Sequence, residues 1–123
     1  MEHIRGIGKL RKFSDSLPLS RFSLWRRFAL EHEGRRTALL CRLETERFDP
    51  PLAMELRFDG VSSVDIKGLG GPYPQVIGFA VVDISAKGWE RINWEATDYE
   101  DGRLHWYAED WQILDVTRIG GSA

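Results

Sequence analysis

The stretch GWERINWEATDYEDGRLHWYAEDW, residues 88–111, has the pattern of two strands joined by a turn and contains four of the chain's five tryptophans. A two-residue turn at Asp101-Gly102 would divide its apolar side chains between both faces of the hairpin. A loop of three residues, 100–102, instead collects them on one face: Ile92, Trp94, Ala96, Leu104, Trp106 and Ala108. Because a one-residue slip would move that set to the other face, the pattern favours the three-residue loop. It predicts that Trp94 lies opposite Ala108 and that Ala96 lies opposite Trp106.

The reverse face of this predicted hairpin is a mixture of aromatic, charged and hydrogen-bonding side chains. In the favoured register it carries Arg91, Asn93, Glu95, Thr97, Arg103, His105, Tyr107, Glu109 and Trp111. Such a mixture is typical of the centre of a protein interface. Burial of the same face under a second layer or under the N-terminal segment is the competing interpretation, because large side chains in small domains are mostly structural.

The rest of the chain also alternates between apolar and polar residues, with turn signals every 8–15 residues. We predict a mainly β single domain over residues 1–123, with about seven to eight antiparallel strands in a sandwich or a strongly curved sheet and little helix. Residues 1–20 are expected to form an N-terminal arm, a first strand or a short helix, and residues 119–123 a flexible tail.

Two segments carry finer predictions. In the first strand, alternation places Phe22, Leu24, Arg26, Phe28 and Leu30 on one face. The nearly continuous apolar run at residues 76–84 is typical of a central strand covered on both faces, since its β-branched content favours strand over helix.

Composition and charge restrict the function classes. The 123 residues are 42% hydrophobic and 29% charged, with a net charge of −2 and one cysteine, Cys41. We therefore expect no intrachain disulfide, and without an apolar run of signal or membrane length we expect a cytoplasmic protein with no membrane partner. Residues 1–36 carry a net +5, whereas residues 88–111 carry a net −5. Attraction between these two segments within one fold, or charge presented to a partner, would each explain the asymmetry.

No motif in the sequence supplies a catalytic or metal-binding constellation. The histidines, His3, His32 and His105, lack ligand spacing, and Cys41 has no cysteine partner. A calcium loop through residues 97–108 fails because its required acidic positions hold Thr97, Tyr99 and Ala108. We expect a protein that is not an enzyme and that needs no metal and no cofactor.

Residues 56–71 and 75–114 nevertheless resemble an uncharacterised family of short, β-rich bacterial proteins, of the kind found as toxin-immunity proteins. The resemblance rests on a phenylalanine–acid–glycine–valine segment, a glycine-rich turn, a glutamine–apolar–glycine–phenylalanine strand and a closing hairpin. The matching residues are Phe58, Asp59, Gly60, Val61, Gly70, Gly71, Gln75, Gly78, Phe79, Gly88, Trp89, Asp98, Tyr99, Glu100, Asp101 and Gly102. The resemblance implies binding to another protein and brings no active site with it.

The leading hypothesis is therefore a protein-binding module, in its most specific form a bacterial immunity protein that neutralises a cognate toxin by direct binding. Its partner would be another protein, such as a basic toxin domain, and a homodimer is compatible with the sequence. The expected contact set is Glu95, Asp98, Tyr99, Glu100, Asp101, His105, Tyr107, Glu109 and Trp111.

Two other functions stay open at this point. One is a small-ligand or carbohydrate-binding β domain that uses an aromatic platform. The other is a single-stranded nucleic-acid binder that uses the arginines flanking a turn, Arg26, Arg27, Arg35 and Arg36. The acidic balance of the whole chain makes nucleic acid an unlikely partner.

Overall fold

Eight strands pair into two antiparallel sheets in the computed structural model, which describes residues 4–67, 76, 79–98 and 104–119. The strands are β1 (Leu24–Glu33), β2 (Arg36–Glu44), β3 (Leu52–Asp59), β4 (Ser62–Ile66), β5 (Phe79–Asp83), β6 (Trp94–Asp98), β7 (Leu104–Ala108) and β8 (Asp110–Arg118). One short helix, α1 (Ile7–Arg11), and two 3-10 turns, Leu19–Arg21 and Ser85–Lys87, complete the described elements. The predicted mainly β fold with little helix is confirmed.

The two sheets form a sandwich of four strands each. The first sheet has the order β1-β2-β3-β8 and the second has the order β4-β7-β6-β5. In most strands buried side chains alternate with more exposed ones, so each sheet turns one apolar face inward. No helix in the described part of the chain is both long enough and apolar enough to span a membrane.

Trp106 of β7 lies at the centre of the core and is fully buried. The rings of Trp25 and Phe58, both from the first sheet, meet it edge to face, with centroids at 6.1 Å and 5.2 Å. Phe28 approaches from the same sheet at 5.9 Å. Because edge-to-face contacts place the positive ring edge against the negative ring face, this cluster joins the two sheets with more than apolar burial alone.

The hairpin of β6 and β7 has the predicted register. Trp94 lies opposite Ala108 and Ala96 lies opposite Trp106. The three-residue loop that the register implied falls outside the described residues. The large-against-small pairing holds Trp106 on the core face of the second sheet, as the apolar pattern required.

The prediction for the face of β1 was wrong at its start. Trp25 is the buried residue there, whereas Arg26 is exposed. A register shift between Trp25 and Arg27 inserts Arg26 as an extra residue, so that Trp25 and Phe28 both face the core. Strict alternation cannot predict such a bulge.

The prediction of a central strand within residues 76–84 was also wrong. Strand β5 is an edge strand that pairs with β6 alone among the described strands. Phe79 is buried, whereas Val82 on the opposite face remains 36% exposed. The apolar run therefore combines core residues with a valine that faces outward, and only the tertiary arrangement separates them.

The N-terminal residues pack against the sandwich. Arg5 forms a parallel bridge with Gln112 of β8, and the Ile113 amide donates to the Arg5 carbonyl at 2.9 Å. The chain then forms α1, and Leu10 and Leu17 enter the core. Of the three alternatives for this segment, residues 4–20 adopt the helical one, with a short helix and part of a 3-10 turn. At the other end, Ile119 donates its amide to the Pro51 carbonyl, and the rest of the expected tail lies outside the described residues.

Candidate interaction surface

One face of the second sheet points away from the core and carries three of the six described residues of the predicted contact set, Glu95, His105 and Tyr107. We call it the outer face and define it by Val82 of β5, Glu95 and Thr97 of β6, His105 and Tyr107 of β7, and Trp89 from the loop between β5 and β6. Alternation places the strand residues together, because Val82 pairs with Glu95, which in turn pairs with Tyr107. The sheet thus brings Glu95, His105 and Tyr107 together as the sequence predicted.

Three of these side chains contact one another in a row. The His105 Nε2 and Glu95 Oε2 atoms lie 2.7 Å apart, within hydrogen-bond distance. On its other side the His105 ring meets the Tyr107 ring edge to face, with centroids 4.8 Å apart and an interplanar angle of 88°. The His105 and Glu95 side chains keep 35% and 26% of their surface exposed. The row is therefore ordered by its own contacts while part of it still faces outward.

Trp89 extends this row and was not among the predicted contact residues. Its ring meets the Tyr107 ring edge to face at 5.3 Å and stays 44% exposed. The Lys87 ammonium lies 5.2 Å from the centroid of the same ring. A cation above an indole is attracted by the ring's quadrupole, so Lys87 helps to hold the orientation of Trp89.

The loop that carries Trp89 is closed at its base. The Ile84 amide donates to the Asn93 carbonyl at 2.8 Å, so the two ends of the loop are joined. Between them Gly88 has a φ of +71°, which a residue with a side chain adopts only with strain. In the sequence, a glycine directly before a large aromatic residue indicates a turn that presents Trp89 at the surface. The contact between Trp89 and Tyr107 could not be predicted, because it depends on the folded conformation of the loop.

Asp98 of the predicted contact set is buried at 2% exposure. Its Oδ1 accepts a hydrogen bond from the Leu104 amide at 3.0 Å and so ties the end of β6 to the start of β7. Asp98 therefore holds the hairpin together and offers no surface to a partner. The neighbouring candidates Tyr99, Glu100 and Asp101 lie outside the described residues.

Trp111 does not lie on the outer face, and its prediction as a contact residue was wrong. After Ala108 the chain leaves the second sheet, and Trp111 enters β8 of the first sheet opposite Phe58. Its side chain is 2% exposed and turns into the core. The prediction failed because it extended the alternation of β7 to residue 111, whereas the strand ends at Ala108.

Glu109 and Asp110 form ion pairs at this crossing between the sheets. Glu109 Oε1 lies 3.1 Å from the Arg36 guanidinium, and Asp110 pairs with Arg5. The basic N-terminal segment and the acidic hairpin segment are thus partly joined within the chain. This pairing favours the internal explanation of the charge asymmetry for these two carboxylates, although Glu109 keeps 28% of its side chain exposed.

An open cleft of about 590 Å³ lies beside this ion pair, at one end of the sandwich. Its lining combines one indole with guanidinium, amide, hydroxyl and carboxylate groups: Arg36, Asp83, Ser85, Arg91, Asn93, Trp94, Glu109 and Asp110. A second depression of about 270 Å³ shares Arg36, Arg91 and Glu109 with it. The volume lies within the range of small-molecule sites, but the lining is more polar than in most of them.

The arginines proposed for nucleic-acid binding are partly engaged in the fold. Arg26 pairs with Glu44 at 2.9 Å and Arg36 pairs with Glu109. Arg27 and Arg35 are exposed. Pairing with carboxylates reduces the positive charge that this turn presents to a phosphate backbone.

Cys41 is deep in the core, and burial raises the pKa of its thiol because the thiolate would lose its hydration. A thiol in this state is protonated at neutral pH and does not act as a nucleophile. Within the described residues no group of three or more histidine, cysteine, aspartate or glutamate side chains is arranged to hold a metal ion.

Comparison with known proteins finds no matching family model, no similar curated protein and no similar solved structure.

Proposed function

We propose that this chain is a protein-binding module and that the outer face of the second sheet is its contact surface. The observation that carries the proposal is the continuous row of Trp89, Tyr107, His105 and Glu95, in which each side chain contacts the next on a sheet face that points away from the core. Aromatic side chains with polar atoms at their edges are enriched at the energetic centres of protein interfaces.

The mutual contacts within the row favour binding in a second way. A side chain that is free in solution loses rotamer entropy when a partner immobilises it. Trp89 is already held between Tyr107 and Lys87, and His105 is already held between Tyr107 and Glu95. Because these side chains are already ordered in the free protein, less rotamer entropy is lost on binding and the affinity is higher.

The most specific version is an immunity protein that binds a basic toxin domain. Glu95 offers a partly exposed carboxylate at one end of the row, and Glu90 is exposed in the loop beside Trp89. Carboxylates at the rim of an apolar contact accelerate encounter with a basic partner and fix its orientation. Asp98 and Trp111 leave the proposed contact set because both are buried, and Trp89 and Val82 join it.

The direct test uses the product of the gene adjacent to that of this chain. Co-expression should rescue cells from a toxic product, and titration calorimetry with the two purified proteins should show a 1:1 complex. Trp89→Ala and Tyr107→Ala should each weaken that complex by at least about tenfold, because truncated aromatic hot spots cost about 2 kcal/mol or more.

Phe13→Ala is the matched control, because Phe13 is an aromatic residue with 37% exposure that is outside the outer face. It should leave affinity unchanged. The absence of both complex and rescue would contradict the immunity version. A complex that tolerates Trp89→Ala and Tyr107→Ala would show that the contact surface lies elsewhere on the protein.

A second candidate function is binding of a carbohydrate or another small polar ligand in the open cleft. Trp94 offers an indole surface there, and Asn93 and Arg91 offer hydrogen-bond donors beside it. Titration of a panel of neutral and acidic saccharides should change the tryptophan fluorescence, and Arg91→Ala should weaken the response to the acidic ones. No response across the panel at millimolar concentrations would remove this candidate.

A further inference from the structure

Strand β1 has an open edge in the described part of the chain. It pairs with β2 on one side, and no described strand pairs with its other side. It is ten residues long, and the end near the β1–β2 turn includes Leu30 with 47% of its surface exposed. A long edge strand presents a row of free amides and carbonyls that can pair with another strand.

The β1–β2 turn determines which backbone groups point outward. Gly34 has a φ of +65° and Arg35 has a negative φ, which is typical of a two-residue type II′ hairpin. In that hairpin Glu33 and Arg36 form a hydrogen-bonded pair, and the pattern alternates from there. Ala29 therefore uses its amide and carbonyl toward β2, whereas Phe28 and Leu30 direct theirs to the open edge.

The side chains of β1 match an antiparallel copy of the same strand. If a two-fold axis passes through Ala29, Phe28 of one copy lies opposite Leu30 of the other, and Arg27 lies opposite Glu31. The first pair is apolar and lies on the core side of the sheet, and the second joins opposite charges on the outer side. Cross-strand pairs of these two kinds are the stabilising ones.

This register also agrees with the backbone. Phe28 and Leu30 become the hydrogen-bonded pairs, and Ala29 meets its counterpart at the narrow, non-hydrogen-bonded position where a small side chain fits. Moving the axis by one residue to Phe28 changes the register by two residues, which would place Arg27 opposite Ala29 and leave its charge unpaired. Within the described part of the chain neither Arg27 nor Glu31 already has an ion-pair partner.

We propose that β1 pairs with β1 of a second copy of this chain, about a two-fold axis at Ala29, to give a homodimer with a continuous eight-stranded sheet. Each dimer contains two Arg27–Glu31 pairs and two Phe28–Leu30 pairs. The outer face of the second sheet is not used, so the dimer and the proposed partner binding are separate properties with separate tests.

Charge exchange is the sharpest test of this register. Sedimentation at increasing concentration should show a monomer–dimer equilibrium. Arg27→Glu and Glu31→Arg should each raise the dissociation constant by at least about tenfold, since each places like charges opposite one another twice per dimer. The double variant R27E/E31R restores opposite charges and should return the dissociation constant to within about threefold of the original.

An engineered disulfide between the two copies of β1 tests the same register independently. Ala29→Cys should form a disulfide-linked dimer under mild oxidation, because residues at the narrow position have Cα separations within disulfide range. Leu40→Cys is the matched control, since Leu40 lies beside Ala29 one strand further from the edge and should not cross-link. A chain that is monomeric at about 1 mM, where even a weak dimer is half formed, would overturn the proposal. The proposal would also be overturned if the dissociation constant of the R27E/E31R dimer were no lower than those of the two single variants.

Discussion

Trp111 and Phe58 lie face to face in the core, with ring centroids 5.4 Å apart and planes inclined by only 7°. They are opposite one another in the pairing of β3 and β8. Trp111 also meets Trp94 of the second sheet edge to face at 6.0 Å. Trp111 thus stacks on Phe58 within the first sheet and also contacts Trp94 of the second sheet. It is therefore a structural residue that joins the two layers.

Trp111→Ala is therefore expected to lower the free energy of unfolding by about 3–5 kcal/mol, the cost of removing a large buried aromatic. Urea denaturation followed by circular dichroism measures the change. Trp89→Ala is the matched control because Trp89 is 44% exposed, and its cost should be within about 1 kcal/mol. Equal losses in the two variants would contradict the assignment of Trp111 to the core and Trp89 to the surface.

Leu10 provides a corresponding test for the N-terminal residues. It is fully buried, although it belongs to a helix of only five residues. Such a short helix has little stability of its own, so packing against the sandwich must hold it. Leu10→Ala should cost about 2–5 kcal/mol in the free energy of unfolding, measured by the same denaturation. Phe13→Ala, just beyond α1 and 37% exposed, should cost about 1 kcal/mol or less. A Leu10→Ala variant as stable as the parent would show that this segment contributes nothing to the core.

The sequence could predict the hairpin of β6 and β7 because its apolar pattern is consistent over both strands. Shifting Trp106 by one residue would expose it, and that cost fixes the register. Trp111 could not be predicted in the same way. Strand β7 ends at Ala108, and the step from one sheet to the other changes which parity faces the core. Nothing in the local pattern marks that step.

Trp89 and Arg26 show two other limits of local patterns. Trp89 lies in a loop, and its contact with Tyr107 depends on how that loop folds over the sheet. Arg26 is the extra residue of a bulge, which breaks the alternation of β1. The charge asymmetry was visible in the sequence, but the partners Arg36 and Glu109 are 73 residues apart, so only the topology brings them together.

Cys41 makes stability depend on pH in a predictable direction. Burial raises the pKa of its thiol, while the unfolded chain keeps the ordinary pKa of 9.0. The unfolded state therefore loses the proton first as pH rises. The stabilising contribution is complete below pH 9.0 and decreases above it, by about 1.4 kcal/mol for each further pH unit.

The comparison with Cys41→Ala isolates this contribution from that of other groups. The free energy of unfolding should exceed that of the alanine variant by a constant amount between pH 7 and pH 8.5, and the difference should shrink above pH 9.0. A thiol reagent should also modify Cys41 only at the rate of unfolding, since the residue is 3% exposed. Parallel stability curves up to pH 10.5, or rapid modification of the native chain, would contradict the burial of this thiol.

Gly60 is coupled to the ion pair beside the cleft. Its φ is +63°, and a Cβ atom at this position would overlap the Glu109 side chain. That side chain accepts a hydrogen bond from the Arg36 guanidinium. Gly60→Ala should therefore cost about 1–3 kcal/mol for the left-handed backbone, with a further cost for displacing Glu109 from Arg36. In the Glu109→Ala background only the backbone cost remains. A double-mutant cycle by urea denaturation should give a coupling of about 0.5–1 kcal/mol between the two positions, because residues in contact are not additive. A coupling free energy of zero would show that the Glu109 side chain can move away from residue 60 without cost. Its ion pair with Arg36 would then not hold it in place beside the cleft.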